Sequence, residues 1–153
     1  MSSDNIHDFA LKSPGRRLSI LGRLSMAYMA GPLKQLGITR GEIGFIISVL
    51  QNEGIFQEEL SELLFIDRAA TTRALYDLER KGLMKREPDA DDRRKKRIYS
   101  TEKCQTLKPE LLGVLDKFNE ALFRGLTPNE QKHVLGIMDK LICNLRSAMK
   151  EEA

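Results

Sequence analysis

The chain has 153 residues, with 25 Lys or Arg against 22 Asp or Glu and no Trp. That length suits one domain, or one domain with dimerisation arms; 41% hydrophobic content suffices for a core, and 6% aromatic content with no Trp suits a mostly helical protein. It contains no run of about 18 apolar residues, and MSSDNIHDFALK lacks a basic stretch leading into an apolar core. Neither a membrane span nor a secretory signal is expected, and the simplest location is cytoplasmic.

Residues 1–12 are polar and expected to fray. Ser13-Pro14 reads as an N-cap with Pro at the first helical position. The helix it opens carries Leu18, Leu21, Ser25, Tyr28, Met29 and Leu36 at helical spacing; Pro32 would kink or end it, and Gly37 stops it. Thr39-Arg40-Gly41-Glu42 is a capping box for a helix with Ile43, Ile46, Ile47 and Leu50 facing inward, closed by Gly54.

Leu60, Leu63 and Leu64 then recur at helical spacing in a short segment. Asp67 is a good N-cap for a second helix, Arg68 to Lys81. Thr71, Leu75 and Leu78 share one face of it, and Arg68, Ala69, Thr72, Arg73 and Tyr76 share the other. Gly82 supplies the left-handed stop. A strand Leu83–Glu87, a polar tip PDADDRRKK and a strand Arg97–Tyr99 complete a β-hairpin. The order helix, turn, helix, glycine stop and cationic hairpin describes a winged helix-turn-helix, a shape built to touch DNA. Residues 68–97 hold 11 Lys or Arg and 6 Asp or Glu, so a basic block stands on a slightly acidic background. A charge run alone is more often a solvated turn; here it falls where a wing belongs.

Thr101 caps a further long helix with Leu107, Leu111, Val114, Leu115, Phe118 and Leu122 on one stripe, and Pro109 predicts a bend in it. Thr127-Pro128-Asn129-Glu130 is a second capping box, starting a last helix with Val134, Met138, Leu141, Leu145 and Met149 on its stripe. The long helices flanking the compact reader carry more apolar surface than it can cover, and a partner chain is the simplest place to bury it.

The run Leu60…Leu63…Ile66-Asp67…Thr72-Arg73…Leu78-Glu79-Arg80-Lys81-Gly82-Leu83, then Asp89…Asp92-Arg93-Arg94…Thr101-Glu102-Lys103, resembles the MarR family of bacterial transcription regulators. The resemblance is close over 38–104 and looser over the flanking helices. Ser61 stands where the family usually has a small Ala, Cys104 replaces a usual Gly, and Ser100 a usual Leu. The resemblance implies a winged helix-turn-helix over 38–100, and helices from 13–37 and 101–150 interlocking into a two-fold dimer.

No G-x-S-x-G, H-E-x-x-H, P-loop or G-x-G-x-x-G occurs, and His7 and His133 lie far apart, so no enzyme site, metal site or cofactor is expected. Cys104, beside Lys103, is the better placed of the two thiols to sense oxidants, as some MarR relatives do; Cys143 reads as a small core residue. A structural role is the simpler reading of both.

The expected protein is a mostly α homodimer with a small β-wing, a sequence-specific regulator of the ligand-responsive repressor type on a pseudo-palindromic operator. Arg68, Ala69, Thr72, Arg73 and Tyr76 would face the major groove, while Arg93, Arg94, Lys95 and Lys96 near the wing tip would reach the minor groove or its phosphates. Met26, Tyr28, Met29, Phe45 and Phe56 are expected near the junction of reader and dimer helices, where similar proteins bind small, often aromatic, anions. Methionines and aromatics at such spacing are more often core. The rival reading is a winged helix that binds another protein instead of DNA.

Overall fold

The computed structural model describes residues 6–151. Helix α1 (Ile6–Lys12) forms where fraying was expected; the rest of that segment lies outside the described residues. The helix ends at Ser13, which is extended (ψ 123°) before Pro14. Arg17 reaches back from α2 (Pro14–Gln35) to donate to the Leu11 carbonyl at 2.6 Å and the Ser13 carbonyl at 2.9 Å, satisfying acceptors that a helix end leaves open. Pro32 sits inside α2 without ending it, and the stop comes at Leu36 and Gly37.

Thr39 starts α3 (Arg40–Gln51) as expected, its backbone N–H donating to Glu42 Oε2 at 2.7 Å. The inward face of α3 differs from the reading of its sequence: Phe45, Ile46 and Val49 are buried, while Ile43, Ile47 and Leu50 are half-buried. Neighbours on several sides, α2, α4, α5 and the sheet, spread burial around this helix. A two-residue strand, β1 (Ile55–Phe56), follows and leads straight into α4 (Gln57–Leu64).

Helix α4 packs on α5 (Arg68–Arg80), then come β2 (Met84–Pro88), β3 (Lys96–Ser100), α6 (Glu102–Leu122) and α7 (Pro128–Glu151). The strands form one antiparallel sheet in the order β1-β3-β2, with Ile55 opposite Ile98, Phe56 opposite Arg97 and Met84 opposite Ser100. Gly54 enters the sheet at φ +80°, and a Cβ there would lie 3.1 Å from the Tyr99 ring, so any other residue would be strained and would press on Tyr99. Strand β1 was not anticipated, because two residues show no periodicity.

Leu60 is fully buried, whereas Leu63 is half exposed and Leu64 half-buried. Helix α4 turns Ser61 inward instead of Leu63, and its hydroxyl donates to Thr71 Oγ1 at 2.9 Å in a buried pair that satisfies both groups. Leu75 and Leu78 close the core with Phe45, Ile46, Val49 and Ile98.

Contacts divide the chain into two compact units, one ending at Leu115 and the other beginning at Asp116. In the first, Thr101 caps α6 by accepting from Cys104 N–H at 3.2 Å, and Cys104 and Leu111 are buried. In the second, Thr127 and Glu130 form the expected reciprocal cap, with Thr127 N–H donating to Glu130 Oε2 at 2.8 Å. Helix α7 has no buried residue. Leu141 is 42% and Leu145 64% exposed, so the stripe read from the sequence lies open on the single chain. Among the described residues no helix is long and apolar enough to cross a membrane.

Candidate nucleic-acid interface

Helix α5 presents its polar face as a continuous exposed surface. Asp67 accepts from Ala70 N–H at 2.8 Å and so launches the helix, while Thr71, Leu75 and Leu78 hold it to the core. Arg68, Ala69, Thr72, Arg73 and Tyr76 are all exposed, as the spacing implied. Arg73 has no ion-pair partner among the described residues, Arg68 lies 3.6 Å from Glu58 with both side chains largely in solvent, and Arg80 stacks over Tyr76 at 5.8 Å. At its C-terminal end the helix is clamped twice. Glu79 Oε2 accepts from two guanidinium nitrogens of Arg86 on β2 while its Oε1 accepts from the Arg86 backbone N–H. Lys81 donates to both oxygens of the buried Glu42 carboxylate, at 2.7 and 2.8 Å, and so ties the helix to the start of α3.

The wing is built by its acids. Asp89 is buried at the turn, where one carboxylate oxygen accepts from Asp91 and Asp92 N–H at 3.1 Å each and the other takes Arg97 Nε at 2.5 Å. The Arg97 guanidinium and the two backbone donors hold the Asp89 carboxyl below the usual carboxylate range. Arg97 also donates to the Gly54 carbonyl at 2.9 Å and lies 4.0 Å over the Phe56 ring. It is therefore a structural arginine, although it counted in the basic block. Lys95 covers Phe56 at 5.4 Å. Arg94 is braced by Asp92, whose Oδ1 accepts from the Arg94 backbone and from its Nε, at 3.1 Å each, yet the Arg94 side chain is 92% exposed. Arg93 and Lys96 carry no ion pair among the described residues.

Lys81, Arg86 and Arg97 thus spend their charge inside the reader. The cations left facing water on α5 and the wing are Arg68, Arg73, Arg80, Arg93, Arg94, Lys95 and Lys96, with Lys85 paired to Glu87 at 2.7 Å. Such a surface can meet phosphates and base edges at once.

The five residues considered for a small ligand differ in burial within the single chain. Met29 and Phe45 are core, Met26 and Tyr28 are exposed, and Phe56 lies under Arg97 and Lys95 at the base of the wing. Phe45 alone of the five lines a cavity of about 600 Å³ between the start of α3 and the side of α5, with Ala70, Ala74, Asp77 and Arg80. The thiols exchange places. Cys104 is fully buried and its pKa is pushed up by desolvation, the wrong direction for a reactive thiolate, while Cys143 is exposed on α7. Lys103, which made Cys104 attractive, turns its ammonium away to the Lys81 carbonyl at 2.6 Å. Sequence reading also missed Gln57, whose amide reaches Thr72, since nothing in a pattern links positions 15 apart.

Comparison with known proteins brings the MarR family model onto residues 38–96. The HTH-type transcriptional regulator YybA of Bacillus subtilis is 26% identical over 130 residues, covering 85% of this chain and 87% of that protein. The transcriptional regulator SlyA superposes with a TM-score of 0.83 at 28% identity, over 90% of this chain and 97% of the other. A MarR-family regulator from Listeria monocytogenes, complexed with a 26mer DNA, gives a TM-score of 0.84 at 26% identity, over 90% and 91% of the two chains.

Proposed function

We propose that the chain, whose residues 38–96 match the MarR family model, is a transcriptional regulator of that type that binds a pseudo-palindromic operator as a homodimer. The observation that carries the reading is the sorting of cations. Lys81, Arg86 and Arg97 are paired with buried or half-buried carboxylates, and the cations on the outer face of α5 and at the wing tip are left to solvent. Helix α5 would lie in the major groove with Arg68, Ala69, Thr72, Arg73 and Tyr76 toward the bases. Dimerisation rests on the open stripes of α2, α6 and α7, of which α7 buries nothing within its own chain. The reading as a ligand-responsive repressor rests on the cavity beside α5: a ligand there would touch the helix at Ala70, Ala74 and Asp77, on the flank that also carries Arg73, and so bias how that arginine is presented.

Titration of full-length protein against sequences enriched from a random DNA pool, at two salt concentrations, tests the reading. Log affinity should fall with log salt by about 0.9 per phosphate contacted, and operator should be preferred over random DNA by at least about a thousandfold. Weak, salt-insensitive binding without preference would turn the assignment toward a protein-binding winged helix.

The wing makes its own prediction. Arg94, held by Asp92, is prepared to enter a narrow minor groove, whose negative potential is strongest over A·T-rich DNA, while unbraced Arg93 suits phosphate. On operators differing only in their flanks, Arg94→Ala should lose more affinity with A·T-rich flanks than with G·C-rich ones. Arg93→Ala should weaken both alike and lower the salt slope by about one. Uniform losses from both variants would leave phosphate neutralisation as the role of each.

A further inference from the structure

Gln57 heads α4, and its side-chain Nε2 crosses to α5 to donate to Thr72 Oγ1 at 2.9 Å. The Thr72 hydroxyl donates in turn to the Arg68 carbonyl at 2.8 Å. A hydroxyl has one proton, so Thr72 must accept from Gln57, which also settles which way the amide points. Thr72 is nonetheless exposed, on the same face as Arg68, Arg73 and Tyr76. With its proton committed, it has no hydrogen to give a base or a phosphate. It still offers a methyl group and one lone pair.

Resting on the DNA-binding function above, we propose that Gln57 is a positioning residue that locks Thr72 so that its methyl group reads the methyl of a thymine. Thymine's C5 methyl is the apolar feature of the major groove, and it pairs with apolar side-chain groups. A helical threonine ordinarily divides between two rotamers. The bond to the Arg68 carbonyl and the bond from Gln57 are made together, so the orientation is held from two sides. The holder is itself held: Gln57 follows directly on Phe56, whose strand is paired with Arg97 of the wing. A group fixed by a second layer of bonds on rigid elements can discriminate a single methyl where a freely rotating one would average the contact away.

Replacing thymine by uracil removes that one methyl and nothing else, which gives the test. Full-length protein is titrated on its selected operator with each thymine changed to uracil in turn, symmetrically in both half-sites. Wild type should lose about fourfold per half-site at one thymine, the worth of one buried methyl. Thr72→Val, which keeps a methyl and is held to one helical rotamer by its own branching without either bond, should keep this thymine-to-uracil ratio, and Thr72→Ser should bring it to one. Gln57→Ala should move the ratio toward one with an unchanged melting temperature.

If Gln57→Ala weakens thymine and uracil operators equally and leaves the ratio intact, Gln57 touches the backbone and the positioning role is overturned. If no thymine in the wild-type operator shows the effect, the methyl reading is overturned while sequence-specific binding stands. If the random pool yields no enriched sequence, the regulator assignment itself fails and takes this inference with it.

Discussion

Leu78→Ala lowers the melting temperature by on the order of 10 °C, whereas Arg73→Ala leaves it unchanged and removes DNA affinity instead. The two residues lie on opposite faces of one helix. Leu78 is fully buried against α3 and the sheet, and truncating it removes packed atoms and leaves a cavity, a loss of about 2–5 kcal/mol. Arg73 is exposed and has no ion-pair partner among the described residues, so its removal costs the fold nothing. Its planar fork suits a guanine edge or a phosphate, and the expected loss in binding is about 1–3 kcal/mol per half-site. Thermal melts and titrations on the same two variants decide the matter. Equal losses of melting temperature would mean that α5 faces the other way.

Leu141→Lys or Leu145→Lys converts the protein to monomer or aggregate at micromolar concentration and weakens operator binding sharply. Both positions are solvent-exposed in the single chain, so a lysine there offends nothing within it. In a dimer that covers α7, an unpaired charge would be buried, at a cost of several kcal/mol. Half the operator contacts would then be lost with the partner. Sedimentation of wild type and variants reads this directly. A wild-type chain that sediments as a monomer while binding its operator tightly would refute the dimer.

The recognition helix was legible because its two faces obey different chemistry at a 3.6-residue period. Thr71, Leu75 and Leu78 turned inward and the five outer residues outward, as the spacing required. The caps at Asp67, Thr101 and Thr127 were legible for a similar reason, since each is a local pattern. What the sequence hid depends on tertiary register. Asp89 meets Arg97 only because the hairpin folds position 88 onto 96, and no count of charges separates that arginine from its neighbours. Cys143 was misjudged, being exposed where a core residue was read, while the burial of Cys104 agrees with the structural role preferred for it over oxidant sensing. Proximity to a lysine in sequence says little about where its ammonium goes, and an apolar stripe is buried only if something covers it.

Strand β1 is only two residues long, but it joins the wing to the front of α4 with no slack between them. Phe56 pairs with Arg97 on the wing side, and the next residue, Gln57, grips Thr72 on the reading helix. If α5 and the wing bind DNA as proposed, this connection would hold the interval between the wing tip and the bases under α5 to one length, as on a ruler with two marks. A half-site in which the groove-read bases and the flank under the wing were moved apart by one base pair could satisfy one mark but not both. Variation among natural targets would then gather in the spacer between half-sites and in bases that neither mark touches, leaving the interval within each half-site constant.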